Sequence, residues 1–85
     1  MEVNKRVRVV VFLKPGVLDA QGQAVQTGLR ALGFEAEEVR VGKAFELSVP
    51  ADGWRQRVRE LCERFLTNPL IEQYEVHERE EVPGR

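Results

Sequence analysis

The sequence predicts an α+β fold in two layers, with two helices on one face of a three-stranded sheet in the order β-α-β-α-β. Three observations predict it. Residues 6–13 are β-branched and alternate with period two, and residues 54–66 carry one apolar stripe at helical spacing. Pro and Gly punctuate the chain between these periodic segments. The face of the sheet left bare by the helices has to meet water or another copy, so the fold is expected to oligomerise through the sheet.

In the first strand Val7, Val9, Val11 and Leu13 share one face. The other face begins with Arg6 and Arg8 but continues with Val10 and Phe12, which are therefore the candidates for self-association. Lys14-Pro15-Gly16 stops the strand, because proline cannot donate to a ladder and glycine permits a turn. A helix follows on Leu18, Val25, Leu29 and Leu32, with Asp19 placed as N-cap and Gly33 as the residue that ends it. Phe34 is then expected to fold back on Leu29.

Between residues 37 and 49, Val39, Val41, Phe45, Leu47 and Val49 share odd positions. A two-residue hairpin at Gly42-Lys43 would throw Phe45 and Leu47 onto the face opposite Val39 and Val41, so parity favours one long second strand bent or bulged at Gly42. A bulge also resets parity, and the alternative, a four-stranded ferredoxin-like β-α-β-β-α-β layout with a hairpin there, stays open. The second helix carries Trp54, Val58, Leu61, Cys62, Phe65 and Leu66 toward the core and Arg and Glu on its other face. Asn68-Pro69 ends it. A last strand spans Leu70 to Glu78, with Tyr74 and Val76 on one face and Glu75 and His77 on the other. Residues 1–78 read as one domain, and the charged stretch 79–85 as a disordered tail.

Composition narrows the function. A chain of 85 residues buries only about two thirds of its surface, and domains of this size often lean on a disulfide, a metal or a partner. One cysteine, Cys62, and one histidine, His77, supply neither a disulfide nor a four-ligand zinc site, which leaves association and points to a reducing compartment. The net charge of -1 offers no pull toward nucleic acid or anionic lipid. No segment approaches the roughly 20 apolar residues of a membrane span, and the first residues lack a secretory pattern, so the chain reads as cytoplasmic.

No constellation suited to catalysis or metal binding is evident. Ser48, Thr27, Thr67 and Cys62 are the candidate nucleophiles against His77 alone, and Cys62 lies within the apolar stripe, where a thiol is a small hydrophobe. Lys14, Gly16 and Gly22 only gesture at a phosphate cradle, and Gly42-Lys43 is followed by alanine. The Glu runs at 35–38 and 78–81 read as solvated charge.

Three stretches carry a resemblance. Lys14-Pro15-Gly16-Val17-Leu18-Asp19-Ala20-Gln21-Gly22, then Val39-Arg40-Val41-Gly42-Lys43, then Asn68-Pro69-Leu70-Ile71-Glu72-Gln73-Tyr74 resemble, in order and spacing, the signatures of the PurS family, small subunits of phosphoribosylformylglycinamidine synthase. The likeness covers residues 7–78, and Ala20 stands where the family often has proline. It implies a non-catalytic subunit that docks a glutaminase, PurQ, and a synthetase, PurL, for ammonia transfer in the fourth step of de novo purine synthesis. ATP and glutamine are then used by the complex, with no cofactor on this chain and a homodimer or homotetramer expected. Mapped by motif, Lys14, Pro15, Gly16, Asp19, Gln21 and Gly22 form one expected docking surface, and Arg40, Gly42 and Lys43 a second. The rival reading is a dimeric, ferredoxin-like regulatory module that binds a small molecule.

Overall fold

The computed structural model describes residues 3–83. It comprises strand β1 (Val3–Leu13), helix α1 (Ala20–Ala31), strand β2 (Lys43–Pro50), helix α2 (Trp54–Leu61), which runs on as a π-helical turn over Cys62–Leu66, and strand β3 (Glu72–Pro83). The three strands form one antiparallel sheet in the order β2-β1-β3. The expected α+β architecture of three strands and two helices is present.

β1 takes the centre because its alternating valines give it an apolar face flanked on both sides. Val9 pairs with Phe45 and Val76, and Val7 with Leu47, so the odd residues of β2 lie beside the valines as parity required. Val7, Val9 and Val11 are buried together with Val58 and Cys62, which α2 and its continuation lay over them. Phe45, Leu47, Val49, Trp54, Leu66 and Tyr74 pack around this small core. The other face of the sheet carries Arg8, bonded to Glu46 at 2.6 Å, with Val10 and Phe12 beyond it. No helix among the described residues is long and apolar enough to cross a membrane.

Four expectations change in detail. The second strand is shorter than parity suggested, because the Val41 N–H donates to the Asp19 carboxylate and is spent before it can join a ladder. For the same reason no hairpin forms at Gly42-Lys43, and the four-stranded alternative falls with it. α1 does not cover the sheet: Gly22 is its single buried residue. β1 ends and β2 begins at the same end of the sheet, where Val11 pairs with Lys43, so residues 14–42 leave and return as a projecting arm. The charged stretch after Glu78 is strand as far as Pro83, which pairs with Val3; Gly84 and Arg85 lie outside the described residues. Acids on either side of that boundary have partners waiting on β1: Lys5 lies 3.3 Å from Glu78 and Arg6 3.2 Å from Glu80.

The apolar stripe of α2 also divides. Thr67 donates both its N–H (2.9 Å) and its hydroxyl (2.7 Å) to the Cys62 carbonyl, which closes a widened turn. One extra residue in that turn swings Phe65 off the stripe to 82% exposure, and Leu61 sits at the rim of the core with 40% exposed. Val58→Ala is therefore expected to cost about 2–3 kcal/mol and Leu61→Ala under about 1 kcal/mol, measured by urea unfolding at one protein concentration. Equal losses would put Leu61 back in the core.

Candidate functional site

The first stretch expected to dock a partner begins where β1 runs out of ladder. The Lys14 N–H donates to the Ile71 carbonyl at 2.8 Å, and Val17 turns back on the Lys14 carbonyl at 3.1 Å. Gly16 has φ of 88°, a left-handed value that costs glycine least, so this turn needs glycine whatever it touches. Lys14 is half-buried, and Pro15 and Gly16 are exposed at the tip.

Asp19 organises the base of α1. Its carboxylate caps the helix by accepting the Gly22 N–H at 2.8 Å, and its other oxygen accepts the Val41 N–H at 2.9 Å. One side chain thus ties the start of the helix to the chain returning toward β2. The two amides, Val41 foremost, hold the carboxyl below its ordinary value of 3.8 against a modest opposing effect of desolvation, with the Arg40 charge adding to the lowering. Gly22 faces the same junction: a Cβ there would collide with the Val39 carbonyl oxygen. Gly42 is equally constrained, since a Cβ would strike the Val11 carbonyl oxygen and the Phe12 ring.

Arg40 closes the junction from outside. Its guanidinium donates to the Leu13 carbonyl at 3.0 Å and lies 4.8 Å from the centre of the Phe12 ring. Phe12 is consequently half-buried within its own chain, as Val10 is. Lys43 stands 3.7 Å from Glu72 on β3. The two predicted docking surfaces are therefore one: all nine residues gather at the end of the sheet where the arm departs. Leu18, Asp19, Gln21, Gly42 and Lys43 line a cavity of about 430 Å³ there. A second, of about 470 Å³, is lined by Lys14, Pro15, Gly16, Asp19 and Arg40.

Within that group the roles separate. Asp19, Gly22 and Gly42 are spent on holding the junction together, while Lys14, Pro15, Gly16, Gln21 and Lys43 face outward. Leu18, Glu37 and Glu38, which line the same clefts, were missed; Leu18 lies inside the first signature stretch, and only closeness to the second pointed to Glu37 and Glu38. Chemistry is scarce here. Cys62 is buried far along the chain from this junction, and burial first, then the charge of Glu63, pushes its thiol up. His77 is exposed and lies 3.3 Å from Glu75. Among the described residues no three His, Cys, Asp or Glu side chains are grouped to hold a metal ion.

The family model for PurS, described as phosphoribosylformylglycinamidine (FGAM) synthase, matches residues 6–80. The chain belongs to the PurS family. The PurS subunit of phosphoribosylformylglycinamidine synthase from Bacillus subtilis (strain 168) is 42% identical over 80 residues, covering 91% of this chain and 94% of its own. The crystal structure of the purS subunit from Thermotoga maritima matches with a TM-score of 0.87 at 29% identity, over 93% of this chain and 95% of that one. A chain in the structure of PurLQS from Thermotoga maritima matches with a TM-score of 0.83 at 30% identity, over 89% and 98%. The PurS match runs through the whole arm and both strands that anchor it.

The Asp19 bridge makes a checkable statement about pH. A carboxyl whose folded value is lowered adds stability that is fully present above 3.8 and is lost as pH falls through the folded value. The Gly22 and Val41 amide NMR signals should shift together with a midpoint below 3.8, and neither should titrate this way in Asp19→Asn.

Proposed function

We propose that this chain is the non-catalytic scaffold subunit of phosphoribosylformylglycinamidine synthase, docking the glutaminase PurQ and the synthetase PurL so that ammonia passes between them in the fourth step of purine synthesis. The observation that carries this reading is the likeness, over 89% of the chain, to a chain in the PurLQS structure from Thermotoga maritima. A junction of turns and clefts without a nucleophile beside a base suits contact rather than bond-making. ATP and glutamine are substrates of the assembled complex, and this chain itself carries no cofactor. A reduced Cys62 suits residence in the cytoplasm.

Docking falls to the outward side chains of the arm junction: Lys14, Pro15, Gly16, Gln21 and Lys43, with Arg40 at their edge. Asp19, Gly22 and Gly42 act by fixing the shape those side chains are presented on. Val10 and Phe12 on the open sheet face are the proposed surface for self-association. The rival small-molecule module loses its premise with the missing hairpin.

Reconstitution with PurL and PurQ tests the scaffold reading. Glutamine-dependent synthesis should require this chain, and Lys14→Glu should fold normally yet weaken assembly by at least about tenfold, as a like-charge clash at a contact does. Normal assembly by Lys14→Glu and Lys43→Glu would remove the junction from the interface. Separately, glutamine or ATP alone should leave the melting temperature of the isolated chain unchanged; a rise would revive the small-molecule module.

A further inference from the structure

α2 covers the middle of the sheet and leaves one shoulder open. Val9 on β1 is fully buried, yet Val76, its partner on β3 and on the same face, is 37% exposed. β3 is an edge strand, so along its outer side a row of backbone N–H and C=O groups has no ladder partner among the described residues. Between that edge and α2 lies a cleft of about 300 Å³, lined by Trp54, Arg55, Arg59, Tyr74, Val76 and Glu78. The helix runs beside the strand there. Arg55, in its first turn, lies 3.4 Å from Glu78, and farther on the Tyr74 hydroxyl donates to Glu63 at 3.3 Å.

Positive charge is in surplus on the helix side of the cleft. The helix and its π turn carry Arg55, Arg57, Arg59 and Arg64 against Glu60 and Glu63, in a chain whose net charge is -1. Glu63 stands at the spacing of an intrahelical ion pair with Arg59, but its carboxylate is turned to Tyr74, and Arg59 forms no ion pair among the described residues. Arg55 shares Glu78 with Lys5 and lays its guanidinium 4.7 Å from the centre of the Trp54 ring. The acids of β3 are engaged elsewhere too: Glu72 faces Lys43 and Glu75 faces His77. Two guanidiniums therefore border a floor of Val76, Trp54 and Tyr74 with fork donors to spare.

We propose that this cleft receives an extended acidic segment of a partner protein, which adds as a fourth strand along β3 and sets two carboxylates against Arg55 and Arg59. The spacings agree. Four helical residues rise about 6 Å and alternate residues of a strand stand about 6.6 Å apart, so acids at every second position meet the two guanidiniums from one face. Backbone pairing gives such a contact its affinity, and the arginine forks select the charge and the register. A polyphosphate or a nucleic acid would satisfy the cations but leave the edge amides of β3 unpaired, and would set its own charge beside Glu63 and Glu78. The site lies at the sheet edge opposite β2, apart from the arm junction, and does not rest on the scaffold reading.

Titrating a labelled, capped heptapeptide, Ser-Thr-Glu-Thr-Glu-Thr-Ser, with the full chain and following its fluorescence anisotropy tests this. Binding should saturate, slow amide hydrogen exchange along residues 73–78, and change the emission of Trp54, the single tryptophan. A peptide with lysine in place of both glutamates, and one N-methylated at alternate residues, should each bind at least about tenfold more weakly. Arg55→Glu with Arg59→Glu should keep its circular dichroism and reverse the preference between acidic and basic peptides, while Lys14→Glu should bind as wild type does. Four results would each overturn the proposal: no saturable binding, equal binding of the N-methylated peptide, tighter binding of polyphosphate than of the peptide, or a folded double variant that still prefers the acidic peptide.

Discussion

Among the described residues every other strand pairs with β1, and the buried apolar core lies on or over it. Val7, Val9 and Val11 can be dried only by something laid across them, and α2 with its π turn supplies Val58 and Cys62 for the purpose. That requirement sets the order β2-β1-β3, since a strand with an apolar face of this density gains most from neighbours on both sides. It also exhausts the core. So small a set of buried apolar residues leaves nothing to hold the arm against the sheet by burial.

The arm is held by polar bonds at its base instead. Asp19 spans from Gly22 to Val41, Arg40 reaches the Leu13 carbonyl, and Gln26 donates to the Ala36 and Glu37 carbonyls at 2.8 and 3.0 Å. Hydrogen bonds are directional, so a junction built this way fixes angles without needing a core. The sheet supplies stability, and the junction supplies shape.

The glycines of the signature stretches illustrate how function and geometry share residues. Gly22 and Gly42 are required by carbonyl oxygens of the same chain, Val39 and Val11, and so would be kept even at a bare surface. No backbone clash requires Lys14 or Gln21, and Lys43 stands 3.7 Å from Glu72 within the same chain. Gln21 and Lys43 lie exposed beside those glycines.

Much of this was legible in the residues. Period-two alternation fixed which side chains of β1 and β2 share a face, because side-chain direction in a strand depends on local backbone alone. Asp19 and Gly33 marked the ends of α1 for the same local reason, and the family signatures lay in three unbroken stretches. What the residues could not decide was long-range. The claim of Asp19 on the Val41 amide, 22 positions away, shortened β2; the waiting arginine of β1, with the pairing of Val3 to Pro83, turned a supposed tail into the end of β3; a single wide turn moved Phe65 to the surface. Each of these is a choice between nearly equal local conformations, and a contact from elsewhere in the chain makes the choice, so only the tertiary structure could settle it.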